Sequence, residues 1–571
     1  MKVAETLTTD VLVIGSGGAA LRAMLAAHDG GAEVAVVVKN TFRKSGATFH
    51  SVAEVGAFNV PDGAGDPTDS PEVFRDDILK AAQGVSDPRL VDILVNEAED
   101  TLHYLENKGI RFEREGDKYL TFRACFSSKD RSHVLKDHFK PIVKALGEEA
   151  ARRGIKVRDN MMVIGLLEKD GECHGAFALD GEGKPVIIRA KAVIMTVGGA
   201  SQLFAKNLYP SDITGDGYSM AYRAGVQLAN MEFMQAGVSI IDPFINLFGN
   251  YLWDAHPNLT DRDGNAFMPD YLPDGMTVSE VLQEKVRHFP FSSSDISRYI
   301  EISIQSAIND GRGTDKGGVF LDFRKCDFDR LLSDTSRSFS RMWPLTYNWY
   351  KDKGIDLYVD PVQITCSAHA FNGGLRIDKN AETSLRGLYA AGETAAGPHG
   401  ADRLGGNMAM TCQVFGERAG RAAAARCLVA SHIDADAISG AHYDYLSGFL
   451  RSGSDTGPAL REELQEAANR ALLIQRNESG LTFFLKELDD LQQRLKNNAR
   501  AETSDQFKYL IETDNLIETG RMMARSALAR RESRGSHYRE DAPTQDPKLA
   551  KSQIIDRNHP DNHFFASLED L

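Results

Sequence analysis

Val11-Leu12-Val13-Ile14 is a short apolar run, β-branched at three of its four positions, that breaks into Gly15-Ser16-Gly17-Gly18-Ala19-Ala20. A helical stretch from Leu21 to His28 follows, and then a second apolar run from Glu33 to Val38. The pattern predicts strand, glycine turn, helix, strand. Gly15 permits the tight turn, Gly17 and Gly18 let a pyrophosphate approach the backbone, and small Ala20 lets the helix pack on the strand. The anion would sit at the helix N-terminus. A glycine turn in another kind of α/β unit is the competing reading, and the flanking strands favour the dinucleotide one. A site for a nicotinamide dinucleotide usually ends the second strand on an acidic residue at the ribose. Here the strand runs into Lys39, which leans toward FAD.

Further small-residue turns follow strands far downstream. Ala192 to Met195 enters Thr196-Val197-Gly198-Gly199-Ala200, and Thr214-Gly215-Asp216-Gly217 opens a helix. Later come Gly387-Leu388-Tyr389-Ala390-Ala391-Gly392-Glu393 and His399-Gly400-Ala401-Asp402-Arg403-Leu404-Gly405-Gly406-Asn407. In this order they resemble the flavoprotein subunits of the succinate dehydrogenase and fumarate reductase family, which includes L-aspartate oxidase and adenylylsulfate reductase. The resemblance also takes in Met231-Glu232-Phe233, Asp310-Gly311-Arg312-Gly313, His369-Ala370-Phe371-Asn372-Gly373-Gly374, Asp514-Asn515-Leu516 and the segment from Arg531 to His537. It runs from Asp10 to about Asp541 and is patchy between Phe244 and Ser297.

The fold class this implies is α/β: a discontinuous Rossmann-like FAD-binding domain, 1–239 and 351–430, with an α+β capping domain inserted at 240–350. A helical domain at 431–540 and a C-terminal arm at 541–571 complete the chain. Leu481, Leu485, Leu488, Leu491 and Leu495 recur at helical spacing and read as packing. The arm, with Pro543, Pro547 and Pro560, reads as an extended surface segment.

Composition narrows the function. At 571 residues, 42% hydrophobic and 26% charged, with no apolar run near the roughly 18 residues a span needs, the chain reads as soluble. A net charge of −15 disfavours general binding to nucleic acid or to an anionic membrane. Six scattered cysteines, without a C-x-x-C pair, encode neither an iron–sulfur run nor a zinc knuckle. The N-terminus shows no leader-like pattern, and a cytoplasmic location is inferred.

By resemblance, Asp216 and Glu393 bond ribose or ribityl hydroxyls, and Gly198, Gly199, Asn407, Lys39, Ser45 and Gly46 belong to the cofactor site. Respiratory members carry a histidine linked covalently to FAD in the segment matching Arg43 to Thr48. Here that place is Gly46, so FAD is expected to be held non-covalently. His50 lies four residues on and reads as a capping residue.

The resemblance also implies a carboxylate clamp built from His369 and Arg403, against the alternative of a structural ion pair between Arg403 and Asp402. The family's second clamp is missing, since Gln235-Ala236-Gly237-Val238 stands where glutamine, an aromatic, histidine and proline are expected. The Thr-Glu-Gly segment of the cap has no counterpart in Phe248 to Trp253. Counting back from Asp310, the family's proton-shuttling arginine falls on Ile302. Arg298, one helical turn earlier, is the candidate replacement, with Tyr299, His256, Arg287 and His288 behind it. Small residues at 236–238 are expected to enlarge the pocket, and Phe248, Tyr251 and Trp253 to wall an apolar part of the substrate.

The sequence thus points to an FAD-dependent dehydrogenase or reductase acting at a C–C or C–N bond beside the carboxylate of a substrate larger than succinate. Alternatives are adenylylsulfate-reductase-like chemistry, a flavoprotein subunit that passes electrons to an iron–sulfur partner, and a fumarate reductase or succinate dehydrogenase with rearranged catalytic residues. A homo-oligomer is the other state considered.

Overall fold

The structure is a computed structural model describing residues 4–50, 52–247, 249–434, 438–449, 452–559 and 562–571. The strand Glu5–Ile14 pairs in parallel with Val34–Val37 on one side and with Pro185–Met195 on the other. Lys156–Arg158 extends the sheet beyond Val34–Val37, and Leu388–Ala390 adds a further parallel strand beside Pro185–Met195. A meander of Met162–Lys169, Glu172–Leu179 and Pro185–Met195 closes the sheet on the other flank. Central strand residues Val11 to Ile14 and Val193 to Met195 are buried, as expected where both faces of a parallel sheet are covered.

Helix Gly18–Asp29 lies against helix Asn407–Cys427, and glycine makes the approach possible. A Cβ on Gly416 would come 2.8 Å from the Ala19 carbonyl oxygen, and one on Gly420 would come 2.4 Å from that of Ala23. The last segment of the FAD-binding domain is thereby locked onto its first helix, across nearly 400 residues of sequence.

The inserted unit is built on a second sheet of Asn246–Leu247, Met234–Asp242, Val362–Phe371, Val319–Asp322 and Asn258–Thr260. Its two long strands, Met234–Asp242 and Val362–Phe371, run antiparallel and reach back into the FAD-binding domain, so the cap's sheet extends on both sides of 240–350. The C-terminal helices Gly457–Leu472, Glu478–Asn497 and Ser504–Ala529 pack together. Leu481, Leu488, Leu491 and Leu495 are buried there and Leu485 partly so, as their spacing predicts.

The arm corrects an expectation. Rather than lying extended on the surface, Ser552–Ile555 and His563–Ala566 form a hairpin that adds to Leu228–Ala229 in a five-stranded sheet. Ile554 is buried there, so hydrophobic burial and ladder hydrogen bonds hold the segment down. Pro560 lies outside the described residues. A buried charge network fastens the region to the rest: Arg530 pairs with Glu232 and Glu532, and Arg534 with Glu532. No helix among the described residues is long and apolar enough to cross a membrane.

Candidate active site

One cavity of about 320 Å³ runs from the Gly15 turn to the junction with the cap. At its dinucleotide end, Gly15 has φ +117°, and a Cβ there would lie 2.5 Å from the Thr196 carbonyl oxygen. Side chain and backbone both require glycine. The helix that follows starts at Gly18 without a side-chain cap on Gly17, and Gly18 donates its N–H to Thr48 Oγ1 at 3.1 Å. Gly15, Gly17 and Gly18 line the cavity with Ser45, Gly46 and Gly198.

Lys39 lines it too, but its charge is already engaged. Its Nζ lies 2.9 Å from Asp216 Oδ2, 2.8 Å from Glu512 Oε1 and 2.7 Å from Thr214 Oγ1. Asp216 Oδ1 accepts from Asn515 Nδ2 at 2.8 Å, which ties the C-terminal helical region into the cofactor end. Burial alone would raise the Asp216 pKa, but Lys39 and these hydrogen bonds hold the carboxyl below the usual range. Glu393 accepts the Phe371 N–H at 2.9 Å, and burial pushes its carboxyl up to about 7.

Three expected cofactor residues stand behind the wall and not in it. Ala20 is buried in helix Gly18–Asp29, and Gly199 packs where a Cβ would meet Glu393 Oε1 at 2.9 Å. Asn407 accepts from Asn59 Nδ2 at 2.6 Å, while Gly405, Gly406, Met408 and Ala409 around it line the cavity. Gly46 has φ +79° and donates its N–H to Asp212 Oδ2 at 3.0 Å. His50 is exposed in the last turn of the short helix Ala47–His50 and does not line the cavity. Two orphaned acceptors fit a large polar cofactor that brings hydroxyl or N–H donors: Asp212 Oδ1 and Gln413 Oε1 are buried on the cavity wall without partners among the described residues.

At the other end the structure brings His369 and Arg403 together. Arg403 Nη2 donates to His369 Nε2 at 3.1 Å, Nη1 donates to the Leu404 carbonyl at 2.9 Å, and Nε donates to Gln235 Oε1 at 3.2 Å. Arg403 is 6% exposed and forms no salt bridge among the described residues. Asp402 is not its counter-ion, because Asp402 Oδ2 accepts from Ser292 Oγ at 2.7 Å and Gln83 Nε2 at 3.1 Å. Burial and the Arg403 charge push His369 down to about 3, so the imidazole is neutral and its proton sits on Nδ1. That Nδ1 is buried with no partner among the described residues.

Three expectations about this end are corrected. Arg298 is outside the cavity: it terminates the 3-10 turn Ile296–Arg298, donating to the carbonyls of Ser293 at 3.2 Å and Asp295 at 2.9 Å. The small residues at 236–238 do not widen the pocket, because Phe289 fills the room; a Cβ on Gly237 would lie 2.7 Å from Phe289 Cε1. Of the three aromatic candidates, Tyr251 lines the cavity, Trp253 is buried behind it, and Phe248 lies outside the described residues.

The wall instead includes Glu54, Phe122, Cys125, Tyr209 and Phe289, none of which belongs to a motif. Glu54 alone carried a signal, as an acidic residue in an otherwise apolar stretch, Val52 to Phe58. Among the lining residues only Lys39 and Arg403 carry a fixed positive charge.

Residues 10–408 match the FAD binding domain family, and residues 461–564 match the family described as fumarate reductase flavoprotein C-term. The chain is 32% identical to one of the subunits of the fumarate reductase (CoM/CoB) of Methanothermobacter marburgensis, over 97% of its length and 98% of that protein's. It is 30% identical to L-aspartate oxidase of Synechocystis, covering 96% and 97% of the two chains. Its structure is similar to that of E. coli quinol fumarate reductase FrdA carrying a mutation, with a TM-score of 0.83, 26% identity, and coverage of 99% and 97%. The chain therefore belongs to the succinate dehydrogenase and fumarate reductase flavoprotein family, and it is an FAD-dependent oxidoreductase.

Proposed function

We propose that this oxidoreductase acts at a C–C or C–N bond next to a single carboxylate, in a substrate larger than succinate whose other end is uncharged. One observation carries the reading: Arg403 is a buried cation on the cavity wall that forms no salt bridge among the described residues, with only the more distant Glu393 carboxyl, itself pushed up to about 7, acting on it. A buried charge without a partner is costly, and an incoming carboxylate offsets that cost. His369 supports the same placement, with Nδ1–H available as a donor while Nε2 is used by Arg403.

A second carboxylate has no such welcome. Lys39 is neutralised by Asp216 and Glu512, and the wall near the cap offers Phe122, Cys125, Tyr251 and Phe289. These side chains suit an apolar or aromatic portion.

FAD, when bound, supplies the two-electron chemistry by accepting or giving hydride. Gly15, Gly17, Gly18, Ser45, Gly46, Gly198, Asp216 and Glu393 would hold it, without a covalent link. The chain's own contribution at the other end is to fix the substrate carboxylate at Arg403 and His369 and to exclude water with the apolar wall. The M. marburgensis relative is named as a subunit of its enzyme, which supports a partner protein for electron passage here as well.

Titrating the flavin's absorbance with monocarboxylate and dicarboxylate analogues tests the site. Monocarboxylates with an apolar tail are expected to bind tightly and succinate weakly, and loss of that preference in the wild type would overturn the reading.

A further inference from the structure

Resting on that reading, we propose that Glu54 is the group that exchanges the proton with the substrate carbon beside the carboxylate held at Arg403. Glu54 lines the cavity and is buried. It comes from the FAD-binding domain, yet its donors come from the cap. The N–H of Gly249 and the hydroxyl of Tyr251, the latter at 3.0 Å, both bond to Oε1, and the Tyr251 hydroxyl also pairs with Thr346 Oγ1 at 2.7 Å. Oε2 accepts no hydrogen bond from another described residue, so it is available to a ligand in the cavity.

The other ionisable groups at this end are poorly placed on the pH scale. Burial raises the Cys125 thiol and the phenols of Tyr209 and Tyr251, while His369 is held neutral down to about pH 3. Arg403 remains a cation and holds the carboxylate, so it does not exchange a proton near neutral pH. Two carboxyls on the wall are pushed up to about 7 by burial, Glu393 and Glu54; Glu393 is engaged by the Phe371 N–H and assigned to the cofactor above, whereas Glu54 is raised against the hydrogen bonds from Gly249 and Tyr251. The only charge-bearing side chains facing it are Tyr251 and Tyr350, and no cation pairs with it among the described residues. Both of its protonation states are therefore accessible near neutral pH, as a general acid–base requires.

In reduction of a C=C bond, bound FAD would supply the electron pair as hydride at one carbon, and the Glu54 O–H bond would break as the neighbouring carbon forms its C–H bond. Glu54 is left as carboxylate and regains a proton from solvent. In oxidation Glu54 would take the proton instead, and FAD would accept the electron pair.

Glu54→Gln keeps an acceptor for Tyr251 but cannot give a proton, and Glu54→Asp keeps the acid. Glu54→Gln is expected to slow substrate-driven flavin reduction by at least about a hundredfold while ligand affinity changes by less than about threefold; Glu54→Asp recovers part of the rate. The rate limb near pH 7 seen in wild type disappears in Glu54→Gln. Infrared difference spectra of the resting holoprotein, titrated between about pH 6 and pH 8, are expected to show a carboxylic acid band that Glu54→Gln lacks. Wild-type reduction rates and an unchanged pH profile in Glu54→Gln would overturn this assignment alone. Failure of the wild type to bleach with any carboxylate would overturn the functional reading and this assignment with it.

Discussion

Arg403 donates to Nε2 of His369 at 3.1 Å, an arrangement in which the cation fixes the tautomer of its neighbour. The pair presents one guanidinium and one Nδ1–H to an anion, and the guanidinium forms no salt bridge among the described residues. Arg403→Ala is expected to lower carboxylate affinity and flavin reduction by a hundredfold or more, as loss of a charge-assisted bidentate contact implies. The diagnostic measurement is ligand-induced thermal stabilisation. A carboxylate ligand should raise the wild-type Tm and leave that of Arg403→Ala unchanged.

Lys39, Asp216 and Glu512 form a buried triad that joins the cofactor end to the C-terminal helical region. Removing the cation leaves Asp216 without a cationic partner while Glu512 keeps Arg461 at 3.0 Å, so Lys39→Met is expected to cost about 3 kcal/mol and to weaken FAD retention. The Asp216 carboxyl has a lowered folded pKa, so its contribution is present above the unfolded value and is lost as pH falls through the folded one. Chemical denaturation of Lys39→Met should accordingly show its smallest deficit in acid.

Asp402 has the opposite sign. Burial pushes its carboxyl up to about 7, and Oδ1 lacks a partner among the described residues. A raised acid contributes stability that is full below its unfolded pKa and is lost as pH rises through the folded value. Asp402→Asn is therefore expected to stabilise the protein by about 1–3 kcal/mol at pH 8 and by distinctly less at pH 5, in paired denaturation curves.

Phe289 occupies the space over Gly237 and borders the cavity. Phe289→Ala should cost about 3–5 kcal/mol of stability and shift preference toward bulkier carboxylates. The check is the ratio of kcat/KM for a bulky and a small substrate, which should rise in the variant.

Gly46 stands where a covalent flavin link would require a histidine, and His50 is exposed away from the cavity. Acid precipitation is expected to release all of the yellow colour into the supernatant. Colour retained on the chain would show a link at another residue.

The glycine turns were legible in the sequence because a positive φ or a close backbone approach restricts the residue that can stand there; Gly15 and Gly198 are such positions. The pairing of His369 with Arg403 was legible through the motifs that carry them. What was not legible depended on packing between distant segments. Phe289 refills a space emptied at Gly237, 52 residues earlier, and nothing at either position announces the exchange. Arg298 was misjudged because helical spacing was extended backward through it, whereas the α-helix begins at Tyr299 and Arg298 ends a 3-10 turn. The terminal hairpin escaped notice because its strands are four residues each and gain their burial only from the edge at Leu228–Ala229.

Anaerobic reduction of the bound flavin, followed by absorbance, tests the central claim most directly. Succinate, L-aspartate and a panel of larger carboxylates with apolar or aromatic tails would be compared at matched concentrations. Bleaching by a larger monocarboxylate with succinate inert is the result predicted from a single clamp at Arg403. Rapid bleaching by succinate, with the larger acids inert, would contradict it and require a second carboxylate site.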